Sequence, residues 1–379
     1  MFKNRINQKL ELQKETFLYR EPFKIQSREG KYLIVNNQKI LNFASNDYLG
    51  LGASISLRKK ISDNFLKYGA TSSSSRLVSG NYLTIIEAEK AYAKFFGYED
   101  AIFFPSGYQA NVGIISALFE SSDTVLFDKH IHASSVKGLV LSGANICGYK
   151  HNSTSHLLKR LQRADSIQAA VVTESLFSVD GDLLDIQGFN SLKKEYGFFS
   201  IVDEAHSFGA LGKNGAGIAR TCADIAVGTF GKALGFLGAF ILLPEGYKDY
   251  FFNFCSSLIY STTLPEAHGA SSIDILEVIS HCEGERAHLK GISTFMKEKL
   301  IREGFSVKGD AHILAIEIGN EAKVMSLSRS LFERNFFVFS ARYPTVPLGH
   351  AIMRIGMTSL HTEEDVLDFI NALKEEYEK

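Results

Sequence analysis

Tryptophan is absent from this sequence, proline occurs six times and cysteine four, and neither sign of charge prevails. Forty-one Lys and Arg stand against 42 Asp and Glu, a net charge of -1, so electrostatics supply no reason to expect nucleic acid or an anionic membrane as the main partner. The cysteines, Cys147, Cys222, Cys255 and Cys282, lie far apart without a C-x-x-C pair or histidines at zinc spacing. That argues for reduced thiols and against a disulfide framework or a metal site. The longest apolar stretch, around Ala233 to Leu243, is too short and Gly-rich to span a bilayer, and the opening MFKNRINQKLELQKE has no apolar core of a secretion signal. A cytoplasmic protein with no membrane span is expected. Repeats and low-complexity tracts are missing as well.

What is present is an ordinary globular composition, 45% hydrophobic and 22% charged over 379 residues, with 31 Gly, 29 Phe and 15 Tyr. The length corresponds to roughly two to three domains. After a helical arm and the extended pieces YLIVNN and ILNFAS, apolar residues recur at helical spacing from Ser54 to Tyr68. A second helix is expected to open at Thr84, where Thr84 and Glu87 form a capping-box pattern, and to stop near Gly97. Strand-like and helix-like runs then alternate. Seven apolar strands are expected, AIFFP at Ala101, TVLFD at Thr124, NICGY at Asn145, AAVVTES at Ala169, FSIVDEAHS at Phe199, DIAVGTF at Asp224 and GAFILL at Gly238. The intervening helices begin near Gln109, Ser134, Ser155 and Asp185.

Strands apolar on both faces and separated by helices predict an α/β fold with a mostly parallel sheet covered on both sides. Past Tyr247 long helical patterns enclose a few strands, HILAIEI, FFVFS and IMRIGM. The expected organisation is an arm over 1–45, a large domain over 46–250 and a smaller α+β domain over 251–379.

Sheets of this kind bind ligands beyond the carboxyl ends of their strands. Those ends carry Ser106-Gly107-Tyr108, His132, Glu174 and Ser178, Asp203-Glu204-Ala205-His206, and Thr229-Phe230-Gly231-Lys232. Each alone is weak: Lys232 could be a surface lysine, Asp203 a turn aspartate, His206 a structural histidine. In combination, a helix N-terminus open to phosphate at Ser106-Gly107, a ring-facing histidine, a carboxylate at the end of a buried strand and a lysine between apolar runs fit pyridoxal 5'-phosphate (PLP). Desolvation would favour the nucleophilic amine, as a Schiff-base lysine requires.

The motifs NFASNDYLGLG, RLVSGN, FFPSGYQAN, DKHIHASS, VVTESLFSVDGD, VDEAHSFGALG and GTFGKALG, in that order, resemble the α-oxoamine synthase family of fold-type I PLP enzymes from about Arg20 to the C-terminus. The resemblance implies condensation of an amino acid with an acyl thioester, carried by CoA or acyl carrier protein, with loss of carbon dioxide, in homodimers that share active sites. It assigns Lys232 to the cofactor and the α-proton, Asp203 to the pyridine nitrogen, His206 and Ser178 to the ring hydroxyl, and His132 to the ring face. Ser106, Gly107, Tyr108 and Thr229 fall to the phosphate side and Glu174 to the cofactor pocket, while Thr262 and Thr263 would reach the partner subunit's phosphate. Asn46 and Arg354 match positions that hold the amino-acid carboxylate. Arg20 and Thr345 resemble substrate-contacting positions of the members that join alanine to a pimeloyl thioester, which the compact length also favours. Members using glycine or serine stay open, and serines in GATSSSSRLVSG stand where relatives carry glycines, bearing on the acyl channel.

Three rival readings fail on particular residues. The DEAH run at Asp203 is a helicase signature, but no G-x-x-x-x-G-K-[ST] loop accompanies it. GAGIAR at Gly215 misses the last glycine of a dinucleotide fingerprint. An inactive partner subunit would be expected to lack the lysine, and Lys232 is in place.

Overall fold

The computed structural model describes residues 2–164 and 169–379, which group into two compact units. The larger comprises Ser54–Ser178 and Leu183–Arg286; the smaller comprises Met1–Ala53, Val179–Asp182 and Ala287–Lys379.

The larger unit is built on a seven-stranded sheet in the order Asp100–Phe104, Ala239–Leu243, Ile225–Thr229, Phe199–Asp203, Ala169–Glu174, Thr124–Asp128, Asn145–Tyr149. Ala239–Leu243 runs antiparallel to both neighbours and the remaining pairs are parallel. Two strands are buried along their whole length, Ala169–Glu174, which ends on the polar Thr173 and Glu174, and the uniformly apolar Ala239–Leu243. On one part of the sheet Ile102, Ile114, Val125, Val172, Ile201 and Ile241 form the core. Elsewhere the phenylalanines take over, with Phe96, Phe103, Phe208 and Phe230 arranged around Phe240. Gly228 lies beneath this cluster, and a Cβ there would fall 2.3 Å from Phe240 Cζ, so the aromatic packing requires glycine.

Two helices of this unit differ from expectation at their starts. Leu83–Phe96 is capped by Tyr82 without a side-chain bond, and the Thr84 hydroxyl donates to the carbonyl of Glu266 at 3.2 Å instead of capping its own helix. A tertiary partner has outcompeted the local one. The helix near Gln109 begins two residues earlier, at Gly107, because Ser106 caps it by accepting from the Gln109 N–H. The other end of Leu83–Phe96 is at Gly97 as expected, in the left-handed region at φ 78°.

Residues 251–286 pack with the larger unit. Helix Glu266–Ser280 lies against Ile55–Tyr68 and Leu83–Phe96, where the Tyr92 hydroxyl donates to the Ser272 carbonyl at 3.1 Å.

The smaller unit holds two four-stranded sheets. One is antiparallel, Val307–Lys308, Ile313–Gly319, Ala351–Gly356 and Phe339–Ala341. The other runs Ser27–Glu29, Tyr32–Val35, Gln38–Asn42 and Phe336–Phe337. FFVFS is therefore two strands and not one: Phe336–Phe337 pairs in parallel with Leu41 and Asn42, while Phe339–Ala341 pairs with Arg354 to Ile352 in the other sheet. Residues 179–182 join this unit although they are far from it in sequence, and the Gly181 carbonyl accepts from the Asp310 N–H at 2.8 Å. Helix Phe2–Glu15 has no buried residue. Among the described residues no helix is long and apolar enough to cross a membrane.

Candidate active site

The order of the sheet reverses between Thr124–Asp128 and Ala169–Glu174, which opens a crevice at their carboxyl ends. Residues from these ends and from the neighbouring strands line a cavity of about 190 Å³, all of it within the larger unit.

Phe199–Asp203 delivers Asp203 at its last position. One carboxylate oxygen accepts from the Ala205 N–H at 2.9 Å and the other from Asn111 Nδ2 at 2.8 Å, which fixes the plane of the group. The next residue, Glu204, is turned into the protein, where it accepts from the N–H groups of Ile218 and Ala219 at 2.9 and 2.8 Å. Burial pushes its carboxyl up to about 7 despite these donors. His206 is buried, and its Nε2 lies 2.7 Å from Lys232 Nζ.

Lys232 is half-buried on a tight loop between Ile225–Thr229 and Ala239–Leu243. The loop is closed by Phe230 N–H to the Gly238 carbonyl at 3.0 Å and by Phe236 N–H to the Phe230 carbonyl at 2.9 Å. His268 holds its far end, with Nε2 2.8 Å from the Leu237 carbonyl, and burial lowers that imidazole to about 4, so it stays neutral.

On the opposite side Ser106 caps the twelve-residue helix Gly107–Leu118. Among the described residues the N–H groups of Gly107 and Tyr108 bond to no protein acceptor, and both residues line the cavity. Thr229 lines it too, with its hydroxyl donating to the Gly238 carbonyl at 3.0 Å. His132 sits where the chain leaves Thr124–Asp128, its backbone N–H held by Glu174 Oε1 at 2.6 Å. Burial lowers the His132 imidazole, and the Lys232 charge acts in the same direction against the opposing pull of Asp203. Glu174 is raised well above an ordinary carboxyl, first by burial and then by repulsion from Asp203. Ser178 completes the wall.

Gly107, Tyr108, His132, Glu174, Ser178, Asp203, His206, Thr229 and Lys232 thus meet in one cavity, and Ser106 adjoins it. Thr262 and Thr263 do not line it. The backbone of Thr263 is tied to the serine-rich loop instead, its N–H to the Ser74 carbonyl at 2.9 Å and its carbonyl to Ser72 Oγ at 2.8 Å. The smaller unit holds the remaining candidates. Arg354 Nη2 donates to Asn46 Oδ1 at 3.3 Å, and the Tyr48 hydroxyl reaches the same oxygen at 3.1 Å. Burial pushes that phenol up to about 12. Arg20 and Thr345 are exposed.

Asn111 and Ser134 escaped the sequence reading. Asn111 Nδ2 bonds Asp203 and also Ser134 Oγ at 3.1 Å, and Ser134 Oγ lies 2.7 Å from His132 Nδ1. The signal was available: both polar residues lie in the first turns of helices that begin at the strand ends, Asn111 one turn inside Gly107–Leu118 and Ser134 second in Ala133–Ser142, in FFPSGYQAN and DKHIHASS.

These groups fit PLP. The free N–H pair at a helix N-terminus suits a phosphate, the clamped Asp203 carboxylate suits a protonated pyridine nitrogen, and the Lys232 amine suits the aldehyde carbon. Asn111 Oδ1 is buried and has no hydrogen-bond partner among the described residues.

Comparison with known proteins supports the same assignment. The family described as Aminotransferase class I and II matches residues 38–373. A putative 8-amino-7-oxononanoate synthase of Bacillus mycoides is 37% identical over 374 residues, covering 97% of this chain and 95% of its own. Sphingomonas wittichii serine palmitoyltransferase superposes with a TM-score of 0.92 at 27% identity, covering 100% of this chain and 97% of its own. The 8-amino-7-oxononanoate synthase of Francisella tularensis gives a TM-score of 0.77 at 32% identity, over 89% and 98%. The chain belongs to the aminotransferase class I and II family, with the fold-type I architecture, and within it to the PLP-dependent α-oxoamine synthases.

Proposed function

We propose that the protein condenses L-alanine with a pimeloyl thioester to give 8-amino-7-oxononanoate, carbon dioxide and the free thiol, a step of biotin biosynthesis in the cytoplasm. The observation that carries this reading is the near-full-length similarity to the Bacillus mycoides relative, joined to a cavity in which Lys232, Asp203 and His132 converge.

Bound PLP supplies an electron sink for negative charge developing at the amino acid's α-carbon. The chain's own groups do the rest. Asp203, held by Asn111 and Ala205, would keep a proton on the pyridine nitrogen by offering it a fixed carboxylate. The N–H groups of Gly107 and Tyr108 would receive the phosphate, with Thr229 beside them, while Ser178 and His206 would serve the ring hydroxyl. Lys232 Nζ would anchor the cofactor and, as a free amine, would take the amino acid's α-proton and later return one. Asn46 and Arg354 take the amino-acid carboxylate, a task suited to a guanidinium. Arg20 and Thr345 serve the acyl substrate.

A homodimer belongs to the proposal, with Thr262 and Thr263 serving the partner subunit's phosphate. Supporting it, the larger unit leaves Tyr260, Val78, Leu77 and Phe254 from 63% to 84% exposed, a cost that a second copy would remove.

The test is a product assay. PLP-loaded protein is incubated with alanine, glycine or serine together with pimeloyl-, acetyl-, succinyl- or palmitoyl-CoA, and with pimeloyl carried by acyl carrier protein. The proposal expects 8-amino-7-oxononanoate from alanine and pimeloyl thioester. Turnover of serine with palmitoyl-CoA and none of alanine would favour the second reading, a serine palmitoyltransferase-like enzyme, which rests on the TM-score of 0.92 to that fold.

A further inference from the structure

We infer that Ser134 and Asn111 fix His132 as the neutral imidazole with its proton on Nε2, so that this ring works as a hydrogen-bond donor and not as a base. Two groups of Ser134 converge on His132 Nδ1, the backbone N–H at 3.3 Å and the hydroxyl oxygen at 2.7 Å. A backbone N–H can only donate, so Nδ1 is the nitrogen that accepts and its lone pair is in use. A neutral imidazole with an accepting Nδ1 carries its hydrogen on Nε2.

The hydroxyl points the same way because of Asn111. Its Nδ2 donates one hydrogen to Asp203 Oδ2 at 2.8 Å and the other to Ser134 Oγ at 3.1 Å. Reversing the amide would set its oxygen against the Asp203 carboxylate, so the orientation is decided by charge. With the amide donating to it, Ser134 Oγ spends its own hydrogen on His132 Nδ1. Asn111 and Ser134 are 3% and 0% exposed, so in this structure their partners are protein groups. The root of the imidazole is held independently by Glu174 Oε1 on the backbone N–H.

A helix N-cap alone would explain the bond from the Ser134 N–H. It does not explain a second donor on the same nitrogen, nor the continuation through Asn111 to Asp203. The titratable groups facing the ring are Asp203, Glu174, Lys232, His206 and Tyr108, the last with its ring centroid 6.4 Å from that of the imidazole, and the burial that lowers its basicity agrees with a neutral ring. Ser134 and Asn111 are positioning residues. Their effect is to leave Nε2–H free to donate to an oxygen that gains negative charge, while proton removal stays with Lys232. Which oxygen receives it, the thioester carbonyl or the departing carboxylate, rests on the reading under Proposed function; the tautomer does not.

The test is nitrogen-15 NMR of the full chain labelled at histidine, without PLP, with the His132 signals assigned by their loss in His132→Gln. Across neutral pH the expected spectrum has an unprotonated Nδ1 and a protonated Nε2. The reversed tautomer, an even mixture or an imidazolium would overturn the inference, and this outcome needs no variant that might fail to fold. In Ser134→Ala the imidazole's titration midpoint is expected to rise, because a donor to the neutral form is lost, and in Ser134→Thr to return towards the original value. An unchanged midpoint in Ser134→Ala overturns the role of the hydroxyl. In the PLP-loaded enzyme the same variant is expected to lower kcat on the order of tenfold with little change in the KM for alanine. Failure of the product assay with the expected spectrum intact would count against the substrates and not against the tautomer.

Discussion

The two units hold their candidate functional groups differently. In the larger unit each group is gripped by a second one rooted in the sheet or in a helix that springs from it: Asp203 by Asn111 and the Ala205 N–H, His132 by Glu174 and Ser134, Lys232 by His206. In the smaller unit Arg354 extends from an antiparallel strand to Asn46, over a longer 3.3 Å bond whose acceptor also serves Tyr48. The difference separates two jobs. Under the proposed function a resident cofactor would be met by groups whose geometry the backbone dictates, and a transient carboxylate by a long side chain that would exchange its Asn46 acceptor for the substrate. Removing a group of the first kind should abolish chemistry, and altering the second should weaken binding.

The largest effect is expected at Lys232. Lys232→Ala should lower turnover by more than about 10³-fold and remove the visible absorption of the PLP-loaded protein, read by spectrophotometry. Arg354→Lys should raise the KM for alanine on the order of tenfold or more, while leaving kcat near its original value and the cofactor spectrum intact, because an ammonium cannot reproduce the planar fork. Loss of the cofactor spectrum in Arg354→Lys would break the distinction between the units.

A third prediction concerns stability within the larger unit. Glu204 titrates in the folded protein at about 7, above its ordinary 4.5, so the native state holds a proton there that the unfolded chain releases. Stability should therefore fall as pH rises through that interval and the loss should be complete above it, with a shift of this size corresponding to about 3 kcal/mol. In Glu204→Gln, thermal melts across the interval should show a shallower decline than the parent. The smallest effect belongs to the smaller unit: Thr362→Ala, which removes the capping box with Asp365 at the start of Glu363–Tyr377, should cost about 1 kcal/mol by denaturant unfolding and leave cofactor absorption unchanged.

Legibility followed the same division. The strands of the larger sheet were readable because most are short runs buried on both faces, the edge strand Asn145–Tyr149 being the exposed exception, and the polar residues after Thr124–Asp128, Ala169–Glu174, Phe199–Asp203 and Ile225–Thr229 marked the edge that the cavity occupies. Asn111 and Ser134 were not, since a polar residue on a helix announces no partner until the fold brings its neighbour within reach. Thr84 shows why a local cap pattern fails: the Glu266 carbonyl, distant in sequence, offered its hydroxyl a better partner. FFVFS could not be divided in advance, because a single β-like run carries no mark of the residue at which it passes from one sheet to another. Residues 179–182 illustrate the same limit for the units, since a contiguous reading cannot assign four residues to a body whose other parts lie more than a hundred positions away.

The convergence of the larger unit on Lys232 as the point of cofactor attachment is tested most directly by borohydride reduction of the PLP-loaded protein followed by peptide mass mapping. A pyridoxyl group on the peptide containing Lys232, and its absence from the same peptide of unloaded protein, is the result predicted. A modification confined to another lysine, or no modification of a visibly loaded protein, would contradict it.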